Sequence, residues 1–252
     1  MRQRVETTVV KGLRVLEAMA QNPELCNLTA LANECGISKS NAHRLLQTLE
    51  ACGYVTRDAA TRTYRPTLRQ WEMGRRVYDR LSLPTVAGRH LAQLSQDTEE
   101  TAHLSVFDQG QVLYIDKVDG PHAVRTYVSN GEREPAFCTS SGKAMLAWLP
   151  HEELLGVGEM IQKFTENTVG SLPELQAQLA DVRARGYATT SGEYRLGVTS
   201  FARAIKTPSN KVIGAVGVAG PVERMSLSDP ERYHDALARA VSLIETDLGF
   251  PA

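Results

Sequence analysis

The sequence predicts an α+β fold in two parts, a small helical domain at the N-terminus and a larger sheet domain after it. Residues 1–70 contain three short amphipathic segments separated by Pro, Gly and Asn, which is typical of packed helices. Residues 101–118 read as two strands, and strand-like and helix-like runs follow one another from residue 140 onward. A chain of 252 residues is long enough for two domains that each bury a core.

Composition excludes several classes of protein. The chain is 42% hydrophobic and 23% charged, as in ordinary globular proteins. Its four cysteines form no C-x-x-C pair, so neither a zinc module nor a disulfide framework is expected, and a reducing cytoplasm fits best. No 18-residue apolar run exists and the first ten residues lack the apolar centre of a signal peptide, so no membrane partner is expected. We also expect no metal and no cofactor.

The net charge of -1 hides an asymmetry between the two parts. Residues 1–70 carry ten Lys or Arg against six Asp or Glu, so this part is basic by about +4. The rest of the chain then holds 18 basic and 23 acidic residues, about -5. A basic first part and an acidic second part suggest different binding partners.

The basic part reads as a helix-turn-helix. The run "VVKGLRVLEAMAQ" has helical spacing, with Val9, Leu13, Leu16 and Ala20 expected on its buried side. A short helix in "NLTALANECG" and a longer one in "SKSNAHRLLQTLEACG" follow, joined by a Gly-Ile-Ser turn. Ser38 is expected to cap the longer helix, whose leucines anchor it to the core.

Polar residues in the first turns of that helix suit contact with phosphates and base edges of double-stranded DNA. The run "YVTRDAATRTYRP" then predicts a β-hairpin, which after a recognition helix is the wing of a winged helix. The predicted DNA contacts from helix and wing are Ser38, Lys39, Ser40, Asn41, His43, Arg44, Arg57, Arg62 and Tyr64. A small packing or dimerisation module with solvated basic residues remains the alternative for this region.

The second part is predicted to begin after a linking helix. We place the winged helix-turn-helix in residues 1–67, the linker helix in 68–83 and a sheet domain in 84–252. Strands are expected in "TAHLSVFD", "QVLYIDKV" and "AVRTYV", and a final helix from Ser228 to Leu248. The scattered histidines, His103 among them, are interpreted as surface or hydrogen-bonded residues rather than metal ligands.

The stretch "CTSSGKAML" allows three interpretations. A Walker phosphate loop is excluded because Phe137 and Ala144 stand where it needs Gly and Ser or Thr. Ser140 and Lys143 match the S-x-x-K pattern of some serine hydrolases, but the partner motifs of that class are absent. The third interpretation is a loop at a helix start that holds an anionic or carbonyl ligand, with Gly142 allowing close approach.

Taken in order, the motifs resemble those of the IclR family of transcriptional regulators. The resemblance rests on "VVKGLRVLEAMA", "LTALANECGISKSNAHRLLQTLEACGYV", "FCTSSGKAMLAWLP", "ARGYATTSGEYRLGVTSFARAI" and "VIGAVGVAGPVERM", and it covers nearly the whole chain. It implies a C-terminal effector-binding domain similar to GAF and PAS folds, dimers or tetramers, and no cofactor. By resemblance the effector site comprises Ala123, Thr126, Glu134, Ser140, Ser141, Thr190, Ser200, Gly217 and Ala219.

Three of these positions depart from relatives that bind a small oxoacid. Thr190 stands where some relatives have Asp, and Gly217 and Ala219 stand where they have Ser. Fewer polar groups and more room predict a larger effector, with its carboxylate or carbonyl at the Ser140 and Ser141 amides and an apolar body over Gly217 and Ala219.

The predicted function is therefore a DNA-binding transcriptional regulator, a repressor of a catabolic operon, whose operator binding is controlled by an organic acid or aromatic catabolite. One alternative is a serine hydrolase that uses Ser140 and Lys143 and is fused to a DNA-binding domain. Another is a dimerisation module with a vestigial pocket.

Overall fold

The computed structural model describes residues 6–78, 81–225, 227 and 230–250. It divides into two compact units, Met1–Arg80 and Leu81–Ala252. The boundary lies inside the predicted linker of residues 68–83, so most of that linker groups with the first unit.

The first unit is a three-helix domain with a hairpin and a fourth helix. Its elements are α1 (Thr7–Gln21), α2 (Leu28–Glu34), α3 (Lys39–Ala51), β1 (Val55–Arg57), β2 (Tyr64–Pro66) and α4 (Arg69–Tyr78). The hairpin is antiparallel, with Arg57 opposite Tyr64. The helix-turn-helix and wing predicted from the sequence are both present. The buried core consists of Val15, Met19, Leu31, Leu45, Leu46, Val55 and Tyr64.

The predicted buried face of α1 is wrong at three of its four positions, since Leu16 is half-buried against the core but Val9, Leu13 and Ala20 are exposed. Val15 and Met19 enter the core, whereas Val9 and Leu13 are 58% and 54% exposed. Apolar residues surround much of this helix, so two different stripes satisfy helical spacing and packing against α3 selects one of them.

The second unit is a six-stranded antiparallel sheet with helices on both faces. Its helices are α5 (Ser82–Thr98), α6 (Ser140–Leu146), α7 (His151–Gly158), α8 (Leu172–Arg185) and α9 (Glu231–Asp247). Its strands are β3 (Thr101–Asp108), β4 (Gln111–Val118), β5 (Arg133–Pro135), β6 (Ala188–Ser191), β7 (Val198–Lys206) and β8 (Val212–Pro221). The strand order is β5-β4-β3-β8-β7-β6, which places β3 and β8 at the centre.

Alternating residues of the two central strands enter two separate cores. Ala102, Leu104, Val216 and Val218 pack with residues of α5 and α9 on one face. Helices α6, α7 and α8 pack on the other face with Ala215. Because side chains alternate along a strand, His103 and its register partner Gly217 lie on the α6 face.

Two predicted elements of this unit differ from the structure. Residues 123–128 form no strand, because Val124 and Tyr127 are exposed and the edge of β4 pairs with β5 instead. The final helix begins at Glu231, and the predicted start at Ser228 lies outside the described residues. Among the described helices, none combines the length and the apolar character that crossing a membrane requires.

Candidate functional site

The start of α3 presents the polar residues predicted to contact DNA. The Ser38 hydroxyl accepts a hydrogen bond from the Asn41 N–H at 3.3 Å and thereby caps the helix. Lys39, Ser40 and Arg44 are exposed, and Asn41 and His43 are half-buried. Ala42, Leu45 and Leu46 are buried on the opposite side, so the helix is anchored with its polar side outward.

The wing places two arginines in solvent and one predicted contact in the core. Arg57 and Arg62 are exposed on either side of the hairpin turn. Tyr64 is only 3% exposed and belongs to the core of the first unit, so its prediction as a DNA contact is wrong. Its ring instead lies 5.7 Å from the Arg57 guanidinium and supports that side chain.

The loop before α6 is tightly packed against the protein's own backbone. Thr139, not a serine, caps the helix: its hydroxyl accepts from the Gly142 N–H at 3.3 Å. Ser140 and Ser141 are buried, and their N–H groups lie in the first turn, where a helix offers no carbonyl partner. A Cβ on Gly142 would lie 2.1 Å from the Ala136 oxygen. The group that packs closely against this glycine is therefore the backbone of Ala136.

Lys143 is held in a buried ion pair. Its ammonium donates to both carboxylate oxygens of Glu193, at 2.6 and 2.5 Å, and only 2% of its side chain is exposed. Burial lowers the pKa of Lys143 and raises the pKa of Glu193, while the contact between them opposes both shifts. The lysine thus joins α6 to the loop after β6 rather than standing free as a base for Ser140.

A cavity of about 50 Å³ lies between α6, the central strands and the loops over them. Six of the nine predicted effector residues line it: Thr126, Glu134, Ser140, Thr190, Ser200 and Ala219. The Thr190 and Ser200 hydroxyls bond each other at 2.8 Å across β6 and β7.

Three predicted effector residues do not line this cavity. Ala123 is exposed. Ser141 instead bonds its hydroxyl to His103 Nε2 at 3.0 Å. The space over Gly217 is filled by the His103 ring, since a Cβ there would lie 2.3 Å from Nε2, so the predicted apolar body of the effector does not fit over this glycine.

His103 is the main residue that the sequence did not assign to the site. It lines the cavity, is 2% exposed, and its Nδ1 has no hydrogen-bond partner among the described residues. Its interpretation as a surface histidine is therefore wrong, and its interpretation as a hydrogen-bonded histidine holds at Nε2 but not at Nδ1. Period-2 alternation along β3, together with pairing to β8, is the signal that could have placed it beside Ser141.

An acidic side chain occupies another part of the wall. Glu134 accepts a hydrogen bond from the Tyr114 hydroxyl at 2.7 Å and lies 3.0 Å from the Arg195 guanidinium. Burial raises the pKa of Glu134, and its bond from Tyr114 and the charge of Arg195 oppose that shift. Arg195 also bonds Glu132 at 2.8 Å and so links the loop after β6 to the segment before β5. Arg195 lies in the stretch "ARGYATTSGEYRLGVTSFARAI", but the sequence did not assign it to the site.

Comparison with known proteins identifies both units. The IclR helix-turn-helix domain matches residues 8–59, and the C-terminal domain of the bacterial transcriptional regulator IclR matches residues 75–246. The chain belongs to the IclR family of bacterial transcriptional regulators. Its resemblance to that family, based on sequence motifs, is confirmed.

Individual relatives cover almost the whole chain. The transcriptional regulator KdgR of Escherichia coli is 30% identical over 246 residues, 97% of this chain and 93% of that protein. The IclR protein of Thermotoga maritima superposes with a TM-score of 0.78 at 28% identity, over 97% of this chain and 99% of that one. An IclR homologue of Microbacterium hydrocarbonoxydans, solved with 4-hydroxybenzoate, superposes with a TM-score of 0.83 at 25% identity, over 96% and 99%.

As an IclR-family member, this protein is a DNA-binding transcriptional regulator under the control of a small-molecule effector. The relatives are regulators and lend no support to a serine hydrolase. Within the part of the chain that the structure describes, no cluster of His, Cys, Asp or Glu could hold a metal ion.

Proposed function

We propose that this regulator represses a catabolic operon and leaves its operator when a small organic acid or aromatic catabolite enters the cavity. The observation that carries the proposal is the cavity itself, which is bordered by the start of α6 and by the central strands of the sheet. The 4-hydroxybenzoate complex of one relative supports an aromatic acid as a candidate effector.

On the DNA side, α3 is the proposed recognition helix. Lys39, Ser40, Asn41, His43 and Arg44 would meet the major groove, where Asn and Arg suit bidentate contacts to adenine and guanine. Arg57 and Arg62 on the wing would contact phosphates or the minor groove. We propose that two or four copies assemble, so that paired recognition helices read a two-fold operator.

On the effector side, an acidic group would meet the N–H groups at the start of α6. Thr190 and Ser200 offer hydroxyls, and Ala219 gives an apolar surface beside them. Ser141 does not line the cavity, and its hydroxyl is engaged with His103.

The experiment begins with operator selection from a random double-stranded DNA pool, followed by fluorescence anisotropy with the selected sequence. We expect salt-sensitive binding that weakens on addition of 4-hydroxybenzoate or another small organic acid. Arg44→Ala should reduce affinity at least tenfold, whereas Arg185→Ala, an exposed change in the second unit, should not. Operator affinity unchanged by every acid tested would contradict the proposed control.

A further inference from the structure

The wall of the effector cavity carries more negative than positive charge. Glu134 and Glu193 line it, and among the described residues that line it Arg195 alone is a Lys or Arg. Lys143 is committed to Glu193 in a buried ion pair. An organic acid that enters the cavity loses hydration at its carboxylate and therefore needs a cationic partner on the wall. Arg195 is the side chain placed to provide it.

Arg195 lies where the cavity meets the solvent. It lines the cavity although its side chain is 42% exposed, and the exposed Tyr127 lies on the same wall. The guanidinium contacts two other groups that line the cavity. Its Cζ is 5.3 Å from the centre of the Tyr194 ring, and its Nη2 is 3.0 Å from a carboxylate oxygen of Glu134. A ligand that enters from solvent therefore meets this guanidinium first.

Most of the hydrogen-bond donors of Arg195 are unused. Nη2 donates to Glu132 at 2.8 Å, whereas Nε and Nη1 donate no hydrogen bond within the described residues. A guanidinium presents its N–H groups as a planar fork that fits both oxygens of a carboxylate. Arg195 therefore has the donors to bind a ligand carboxylate through two hydrogen bonds.

Glu132 is the group that a ligand carboxylate would replace. A third carboxylate beside one guanidinium is repelled by the two already there, so one of them has to leave. The Glu132 side chain is 27% exposed, and an ion pair that is partly in water contributes little stability. The buried Glu134 has no such access to water and stays with Arg195. Exchange of one carboxylate for another leaves the net charge around Arg195 unchanged.

This exchange also gives the ligand room. The cavity of about 50 Å³ is smaller than the roughly 150 Å³ that holds benzene, so an aromatic acid requires the wall to move. Arg195 lies on the loop of residues 192–197, which begins and ends at glycines with φ of 66° and 77°. Its bond to Glu132 ties this loop to the segment before β5. Loss of that bond releases the loop on its exposed side.

We propose that Arg195 is an effector-binding residue that pairs with the carboxylate of an organic acid in exchange for Glu132. The two oxygens of a carboxylate accept up to about four hydrogen bonds, so the start of α6 can share the same group. This inference rests on the proposed use of the cavity for an organic acid. It deepens that function, because it restricts the effector to anions and excludes neutral compounds of the same shape.

The first test compares acids with their uncharged primary amides. Calorimetric titration of the full-length protein with 4-hydroxybenzoate, benzoate and a series of aliphatic hydroxy acids should find at least one acid that binds. The amide of that acid should bind at least about tenfold more weakly. Arg195→Gln keeps a polar side chain without the charge. It should lose about 10- to 100-fold in affinity for the acid and should bind acid and amide within about threefold of each other.

The second test removes the competing carboxylate. Glu132→Gln keeps an acceptor for the Ser129 N–H, which bonds Glu132 at 3.0 Å, but it loses the charge. This variant should bind the acid about two- to fivefold more tightly and the amide as before. Arg133→Gln is the matched control, because this neighbouring and similarly exposed arginine pairs with Asp108 and does not line the cavity. It should bind as the unmodified protein does.

Three results would overturn the role of Arg195. They are an undiminished preference of Arg195→Gln for the acid over its amide, an acid affinity of Glu132→Gln that does not rise, and the failure of every acid to bind. Operator anisotropy separates this inference from the proposed function. If acids bind through Arg195 but leave operator affinity unchanged, the proposed control fails and the contact stands. If they release the operator equally from Arg195→Gln, the contact fails and the proposed control stands.

Discussion

Because Gly142 has a hydrogen atom in place of a side chain, α6 can pack directly against the backbone of Ala136 at the cavity. The Ala136 oxygen, Cα and carbonyl carbon all lie within 2.5 Å of the position that a Cβ would occupy. These are backbone atoms that cannot rotate away, so any side chain at residue 142 must displace the helix or the turn before it.

Gly142→Ala is therefore expected to destabilise the second unit by about 1–3 kcal/mol, the usual cost of overpacking. Chemical denaturation followed by circular dichroism measures the change. Gly156→Ala in α7 is the matched control, because nothing lies within 4 Å of its Cβ. That variant should be neutral or stabilised by up to about 1 kcal/mol through helix propensity. Equal stability of both variants would contradict the packing argument.

His103 should also make stability depend on pH. Its folded-state pKa is lowered from 6.5 to about 4, so between these values the unfolded chain binds a proton that the folded protein excludes. Its contribution to stability is present above pH 6.5 and is lost as the pH falls toward 4, on the order of 3 kcal/mol in total. The raised pKa of Glu134 acts in the opposite sense, because it makes the folded state bind a proton more readily.

The quantity to measure is the difference in unfolding free energy between the unmodified protein and His103→Gln at each pH from 8 to 4.5. Glu134 is present in both proteins, so its contribution cancels in this difference. The unmodified protein should lose stability relative to the variant as the pH falls below 6.5. A constant difference over this range would show that the ring is not held neutral in the folded state.

At the scale of the element, α3 depends on Ser38 for its first turn. The hydroxyl caps the Asn41 N–H, and replacement by Ala should cost about 1 kcal/mol of stability. Ser38→Asp keeps a capping oxygen and should restore stability, but its charge should repel phosphates and weaken DNA binding. Thermal unfolding measures the capping role of residue 38, and anisotropy measures its effect on DNA binding. If Ser38→Asp changed stability and DNA affinity in parallel, the two roles would not be separate.

Elements with an unambiguous pattern could be predicted closely from the sequence. Strands β3 and β4 match the predicted runs. Apolar and polar residues alternate on both sides of a Gln109-Gly110 turn, and both turn residues have positive φ. The buried face of α1 and the state of residues 123–128 could not be predicted. In both cases several apolar residues satisfy the pattern, and only the position of neighbouring elements decides which of them are buried.

The candidate site was predictable to the extent that it follows linear motifs. Ser140, Thr190 and Ser200 lie on the stretches that carry the family resemblance, and they line the cavity. His103 belongs to no such motif, and its position depends on strand register. Arg195 lies in the stretch "ARGYATTSGEYRLGVTSFARAI", but its contact with Glu134 depends on the conformation of the loop after β6. The predicted DNA contact at Tyr64 failed for a related reason, since a hairpin does not reveal which of its aromatic residues faces the core.

At the scale of the whole molecule, the two units have separate hydrophobic cores. The fragment of residues 81–252 should therefore fold alone, with the cavity intact. We expect a cooperative thermal transition and the same affinity for a bound acid as in the full chain, measured by calorimetry. An unfolded fragment, or one with altered affinity, would show that residues before 81 complete the second unit.

Side chains that alternate along β3 face two different environments, the cavity on one side of the sheet and a hydrophobic core on the other. His103 faces the cavity, while Ala102 and Leu104, one residue away on either side, pack with the core that includes α5. Strand β3 alone therefore lies between the cavity and the α5 side of the sheet. We expect that a ligand which displaces His103 also displaces Ala102 and Leu104 on the same strand, and with them the α5 side chains of that core.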